Sequence, residues 1–294
     1  MSIASIQSKY PSAIWFDSNY GSTGTGTVSD PYNDFGTAVA DITSNNNAIA
    51  VKSGTHAVDH ADLTISSLGG SADTLTVVGE DTTAKITTTG TGNGASFEMA
   101  NLSLKLETIH IQHIGSTGTN NGQIYMGTSA GSDLTIEGSI IEVTSSSLGS
   151  GNTHQGQIKY GSGNVNADVT CRDSVFITGG TTNQTVWAYI PPNNVDVQRC
   201  TFFVQTNNQA TIFWAIDPAG TTTWKNNIYH GLLGTEIFKS GFTWGTASNN
   251  CYHNTGISSG NGGTVFADPQ FVDSANGDFR LRPSSPCIGA GTAS

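Results

Sequence analysis

Along the middle of the chain apolar and polar residues alternate in short bursts, and the burst keeps returning. LKLETIHI, LTIEGSII, VTCRDSVF, VDVQRCTF and TTWKNNIY all carry it between Leu104 and Tyr229. Set in register, they give one column of Leu106, Ile136, Cys171, Val197 and Trp224. A second column of Ile111, Ile141, Phe176, Phe202 and Tyr229 stands five residues further on. A weaker sixth copy follows at Ala247, Asn250 and Tyr252. Period-two alternation, as at Leu134 and Ile136 or Val195 and Val197, marks strands with one buried face. Copies 23 to 35 residues apart are the signature of a solenoid, whose successive strands stack in parallel about 4.8 Å apart. Small or polar residues recur at the third position after the first column: Ser139, Ser174, Cys200 and Asn227. There the chain turns a corner, and such side chains bond local backbone. The pattern predicts an all-β, single-domain parallel β-helix.

Positions directly after the first column, Glu107, Glu137, Arg172, Gln198 and Lys225, predict an outward ladder in which Glu137 would pair with Arg172. Such an exposed pair contributes only about 0 to 1 kcal/mol. Residues 1–13 read as a short arm of undefined shape. Trp15 to Ile42 reads as a strand, a Gly and Thr loop, a Ser-Asp-Pro turn and a brief helix with Phe35, Ala38, Val39 and Ile42 on one face. A helix there would cover the open end of the stack. AIAVKSGTH (48–56) and LTVVGE (75–80) read as the first two coils. The polar, Gly-rich runs at 87–101, 114–132 and 145–157 read as loops or lateral outgrowths. No linker interrupts the repetition, so the organisation expected is an arm (1–13), a β-helix (14–264) and a C-terminal capping segment (265–294).

The opening strand, loop, turn and helix resemble the start of many right-handed β-helix proteins. The tail, FADPQFVDSANGDFRLRPSSPCIGAG, resembles the C-terminal segment of the same broad pectate-lyase-like group. The positions that carry it are Asp268, Pro269, Phe271, Val272 and Asp273, then Gly277, Asp278, Phe279 and Leu281, then Ser285, Pro286, Ile288 and Gly291. The resemblance implies a right-handed helix with a short N-terminal capping helix. It leaves function open, because the group includes polysaccharide lyases, bacterial surface proteins and phage proteins.

Composition narrows the choice. Gly is 36 of 294 residues and charged residues are 11% of the chain, which suits many turns and a neutral polar exterior. A net charge of -11 with only 11 Lys and Arg speaks against nucleic acid or anionic membrane as a partner. No apolar run is long enough to span a membrane, and MSIASIQSKYPS lacks the pattern of a secretory signal. The four cysteines fit neither a zinc site nor a disulfide framework, which predicts free thiols, with Cys251 pointing outward.

Candidate chemistry is sparse. A polysaccharide lyase needs a base and a cation that neutralises a uronate carboxylate. Arg172, Arg199 and Lys159 are weak candidates, with Arg172 and Arg199 one column apart on adjacent coils. Glu107 with Glu137, or Asp173 with Asp196, would be the carboxylate pairs of a glycosidase. His110 and His113 fall on opposite faces of one strand, which argues against a shared metal. No cofactor is expected, apart from calcium at Asp-rich turns such as Asp173 and the tail. Trp187, Tyr189 and Trp214 would form a carbohydrate-stacking strip, whereas Trp224 reads as core.

A neutral, Gly-, Ser-, Thr- and Asn-rich β-helix with no export signal and no compact catalytic motif resembles the tail spikes, fibres and capsid-bound appendages of tailed bacteriophages, and that resemblance implies a structural virion protein, as a capsid decoration, head appendage or tail spike. Its partners would be other capsid or tail proteins and a glycan, with homo-oligomers allowed. The alternative is a secreted lyase or depolymerase acting on an acidic polysaccharide.

Overall fold

A computed structural model describes residues 1–44, 47–68, 73–89, 97–114, 124–127, 131–144, 157–160, 166–179, 185–188, 192–205, 211–214, 220–231, 245–256 and 262–291. For Thr89, Lys159, Thr185–Ala188, Pro192 and Thr211–Trp214 it describes the backbone alone. Among the described residues the strands form three parallel sheets of nine, six and nine strands, each coil adding one strand to every sheet it reaches. The chain is an all-β parallel solenoid.

The two columns read from the alternation are real and run further than the repeat suggested. On the first sheet, Ile14, Ile49, Val77, Leu106, Ile136, Cys171, Val197, Trp224 and Ala247 pair rung by rung. On the second, His56, Ile86, Ile111, Ile141, Phe176, Phe202, Tyr229 and Tyr252 do the same. Nearly all of these side chains are buried in one continuous core. In its lower half the second column becomes a pile of parallel rings. Phe176, Phe202, Tyr229 and Tyr252 have centroids 5.0 to 5.1 Å apart and interplanar angles of 7 to 11°. Strand spacing dictates that distance, since each ring hangs from a strand one rung below the last.

Two positions make the corner between these sheets. Thr108, Gly138, Asp173, Arg199, Asn226 and Asn249 all adopt left-handed backbone, with φ between 52 and 59° except at Asp173, where it is 51°. This rotates the chain into the second sheet while its N–H still donates to the coil below, as Gly138 does to Arg172 and Arg199 to Lys225. The next position faces inward and carries the small polar residues. Ser139 Oγ accepts from Ile109 N, Ser174 Oγ from Ser139 N, Asn227 Oδ1 from Cys200 N and Asn250 Oδ1 from Asn227 N. The amides of Asn227 and Asn250 also donate to Val197 O and Trp224 O. A buried ladder thus replaces the water these backbone groups have lost.

Two of the polar runs read as loops, 87–101 and 114–132, contain strands of the third sheet, and another strand of it begins directly after the run 145–157. Phe97–Met99, Ile124–Met126 and Ile158–Tyr160 are strands pairing in sequence, with Phe97, Met99, Ile124, Met126, Ile158 and Tyr160 fully buried. Each has only three residues, too few for alternation to stand out from Gly-rich flanks.

Helix α1 (Ile3–Lys9) gives the arm a shape. Ser2 caps it, and Ile6 packs on Trp15, Ala50 and Val78. These are the first rungs of the outward column that continues as Glu107. Helix α2 (Phe35–Ala40) caps the stack as expected. Asp34 Oδ1 accepts from Thr37 N, and Phe35 meets Phe16 and Phe97 edge-on at 5.2 and 6.3 Å. At the other end Phe266 stacks on Tyr252 at 5.7 Å. The described tail continues beyond that ring. Its hairpin, Phe271–Asp273 with Asp278–Leu281, folds back along the outer face of the second sheet.

Candidate functional site

The outer face of the second sheet has two halves. Its upper rungs present Lys85, His110, Thr87, Gln112 and Glu142, and its lower rungs present Val175, Ile177, Phe203, Ile228 and His230. The tail hairpin covers the apolar half. Phe279 and Phe271 meet Phe203 at 5.0 and 6.2 Å, and Leu281 packs with them. Beneath it, His230 and His253 face each other, Nδ1 to Nδ1 at 3.0 Å. Burial first, and His253 second, hold His230 below the usual imidazole range.

Where the two halves meet, a cleft of about 350 Å³ opens. Lys85, His110, Gln112, Glu142 and Gln205 line the sheet side, and the hairpin turn Ser274–Gly277 forms the opposite wall. His110 Nε2 lies 2.7 Å from Glu142 Oε2, and Lys85 Nζ lies 4.0 Å from the same oxygen. Burial would raise the Glu142 carboxyl, but the His110 hydrogen bond and the charges of His110 and Lys85 outweigh it and hold the group below its ordinary range. The cleft therefore offers a fixed carboxylate, an imidazole, an ammonium and two amides, a set that suits hydroxyl-rich or carboxylate-bearing ligands. His113 lies on the other face, buried and bonded to Thr88 Oγ1, so the H-x-x-H residues are separated as expected.

The candidates read from sequence fall elsewhere. Arg172 and Arg199 do not make a paired basic site. Arg172 Nη2 is 2.5 Å from Asp196 Oδ2, and Arg199 forms a two-pronged pair with Asp173 at 2.6 and 2.8 Å. The expected Glu137–Arg172 pair is likewise replaced. The two are register neighbours, but Lys105 bridges Glu137 at 3.2 Å and Glu107 at 3.5 Å, drawing the acid upward. Asp173, read as a calcium turn, is taken up by Arg199, and Asp278 in the tail by Arg280, which pulls its pKa down to about 2. Glu107 is buried, and the Lys9 ammonium and Tyr10 hydroxyl of the arm bind it. Of the two carboxylate pairs, Glu107 and Glu137 share Lys105, while Asp173 is bound by Arg199 and Asp196 by Arg172.

Lys159 sits on the third sheet, in register with Tyr125 and Ala188, away from both arginines in the coil. Trp187 takes the register position of Ile158, and Trp214 that of Ala188, one column apart on the third sheet. Tyr189 lies outside the described residues. Trp224 is core, as expected. The cleft escaped sequence reading because its two walls, Lys85 to Gln205 on the sheet and Ser274–Gly277 on the hairpin, are 69 or more residues apart in the chain. The one local signal was the outward apolar residue in VFITG and TFFV, which breaks the alternation where the hairpin lands.

Among the described residues no group of three or more His, Cys, Asp or Glu is arranged to hold a metal, and no helix is long and apolar enough to cross a membrane. Comparison of the chain with protein-family models, curated proteins and solved structures finds no match.

Proposed function

We propose that this chain is a structural appendage of a tailed-phage particle, a capsid decoration, head appendage or tail spike, that holds a glycan segment on its outer face. The observation that carries the structural reading is the use made of its charges. The acids and bases of the coils are spent on rung-to-rung bonds: Lys105 with Glu107 and Glu137, Arg172 with Asp196, Arg199 with Asp173. Charges satisfied within the stack in this way suit a structural role. The likeness of a neutral, Gly-, Ser-, Thr- and Asn-rich β-helix to the tail spikes and capsid-bound appendages of tailed phages supports the setting, and the hydrogen-bonding cleft at Glu142 supports a saccharide ligand. The stacking residues Trp187, Tyr189 and Trp214 belong to the same proposal. The test is purification of phage particles from lysates and mass spectrometry of their proteins. Recovery of the chain in intact particles at a fixed ratio to the capsid protein is expected, and its absence from washed particles would overturn the setting.

The Lys85, His110 and Glu142 cluster favours one second reading, a lyase of acidic polysaccharides. His110, oriented by Glu142, would remove the proton beside a uronate carboxylate that Lys85 neutralises. Incubation with uronate polymers, followed by absorbance of the unsaturated product, decides it. On the structural reading no product forms. Product formed by the native chain and lost in His110→Ala would establish the lyase instead.

A further inference from the structure

Cys251 stands in the last coil's second-sheet strand, Asn250–His253, on the face turned away from the core. It is nevertheless buried, because the tail passes over it. Cys287 of that tail brings its Sγ to 2.6 Å from Cys251 Sγ, inside ordinary van der Waals contact. Other bonds hold the two segments together on either side. Asn249 Nδ2 donates to Ala290 O at 2.9 Å, and Cys251 Sγ approaches Ala267 O at 3.6 Å. The thiols are therefore brought together by the docking of the tail. The other two cysteines behave differently. Cys171 and Cys200 are fully enclosed in the core, in different columns, and Cys200 Sγ donates to Gln198 O.

We propose that Cys251 and Cys287 are a modification site, a dithiol that closes to a disulfide when an oxidant of the glutathione-disulfide class is present and so clasps the tail to the last coil. The thiolate of half-exposed Cys287 attacks one sulfur of oxidised glutathione and expels a glutathione thiolate, which takes up the proton that Cys287 released. Cys251 then gives up its proton, and its sulfur attacks the Cys287 sulfur of the mixed disulfide. The S–S bond of the protein forms, the bond to glutathione breaks, and the second glutathione leaves as thiol. Two protein thiols are oxidised by two electrons, and one glutathione disulfide is reduced to two thiols. The order follows from access and from charge. The contact between the two sulfurs holds Cys287 below the ordinary thiol range, and the same contact, together with burial, pushes Cys251 up. Because the hairpin that walls the cleft lies between the two cysteines in the chain, the clasp closes a loop that contains it. The proposal does not depend on what the cleft binds.

The experiment equilibrates the full chain with oxidised or reduced glutathione, alkylates it in denaturant and weighs it. Free thiols should fall from four to two on oxidation, with a peptide linking Cys251 to Cys287. Limited proteolysis after Phe271 or Phe279 should slow at least several-fold in the oxidised form. C287S should keep its three remaining thiols under the same oxidant, and an unchanged circular dichroism spectrum would show that it folds. Four free thiols after oxidation, a link to Cys171 or Cys200, a link between chains, or a tail cut equally fast in both redox states would each overturn the proposal.

Discussion

Asn227 shows what a single side chain does in this fold. It is fully buried, its Oδ1 accepts from Cys200 N, and its Nδ2 donates to Val197 O. Truncation would leave two backbone groups without partners in a dry interior, at about 1 to 3 kcal/mol each. Asn227→Ala should therefore lower unfolding free energy by about 2 kcal/mol or more in urea titration, and a loss below about 0.5 kcal/mol would mean water replaces the amide. Glu107 is the second such residue. Burial would raise its carboxyl, but Lys9, Tyr10 and Lys105 hold it below the ordinary range. A depressed carboxyl stabilises above the unfolded-state value and loses that contribution as pH falls through the folded-state value. Glu107→Gln should thus cost about 1 kcal/mol at neutral pH, a figure kept small because Lys9 is half exposed. The difference from the native chain in thermal melts should vanish in acid. A gap that stays constant with pH would show that the arm is held by Ile6 alone.

At the scale of elements, the corner and the tail hairpin carry the argument. Six of the first-to-second-sheet corners, those at Thr108, Gly138, Asp173, Arg199, Asn226 and Asn249, pass through a left-handed residue, a conformation that costs a non-glycine residue about 1 to 2 kcal/mol. At Gly138, φ is 56°, and an added Cβ would meet only Thr108 Oγ1 at 3.7 Å. Backbone strain, not crowding, sets the cost there. Gly138→Asn should be nearly neutral and Gly138→Val should cost about 2 kcal/mol in chemical denaturation, since a β-branched residue tolerates this region least. Equal effects from the two would show that space decides instead. The hairpin is an element only because of what it covers, for two strands alone are marginal in water. Phe271→Ser removes the ring set between Phe203 and Phe279. It should free the hairpin to proteolysis while the coils keep their far-ultraviolet circular dichroism. It should also promote self-association in light scattering, because Ile177 and Phe203 become exposed.

For the whole molecule, the parallel stack was legible because a solenoid repeats its own solution. Inward residues five positions apart across a corner must recur whenever a coil does, so Leu106 to Ile111 and Trp224 to Tyr229 announce the same geometry. The capping helix was legible for the related reason that an end of the stack must be closed. The third sheet was not, since Phe97–Met99 and the other strands of that sheet are only two to four residues long and their bonds come wholly from neighbouring coils. Nor was the cleft, because Glu142 and Ser274–Gly277 meet only when the tail returns along the stack.

The sequence by itself determined the periodic part of this protein: buried columns, corners and a neutral, acidic-leaning surface, all set by interactions that repeat from coil to coil. Tertiary structure alone decided what happens once. It chose the partner of each charge, giving Lys105 to Glu137 and Asp196 to Arg172, because side-chain reach along and across rungs depends on real distances. It also placed the arm over Val78 and the tail over Phe203. Those contacts join segments with no shared period, and their formation rests on the apolar area left uncovered when the stack is complete.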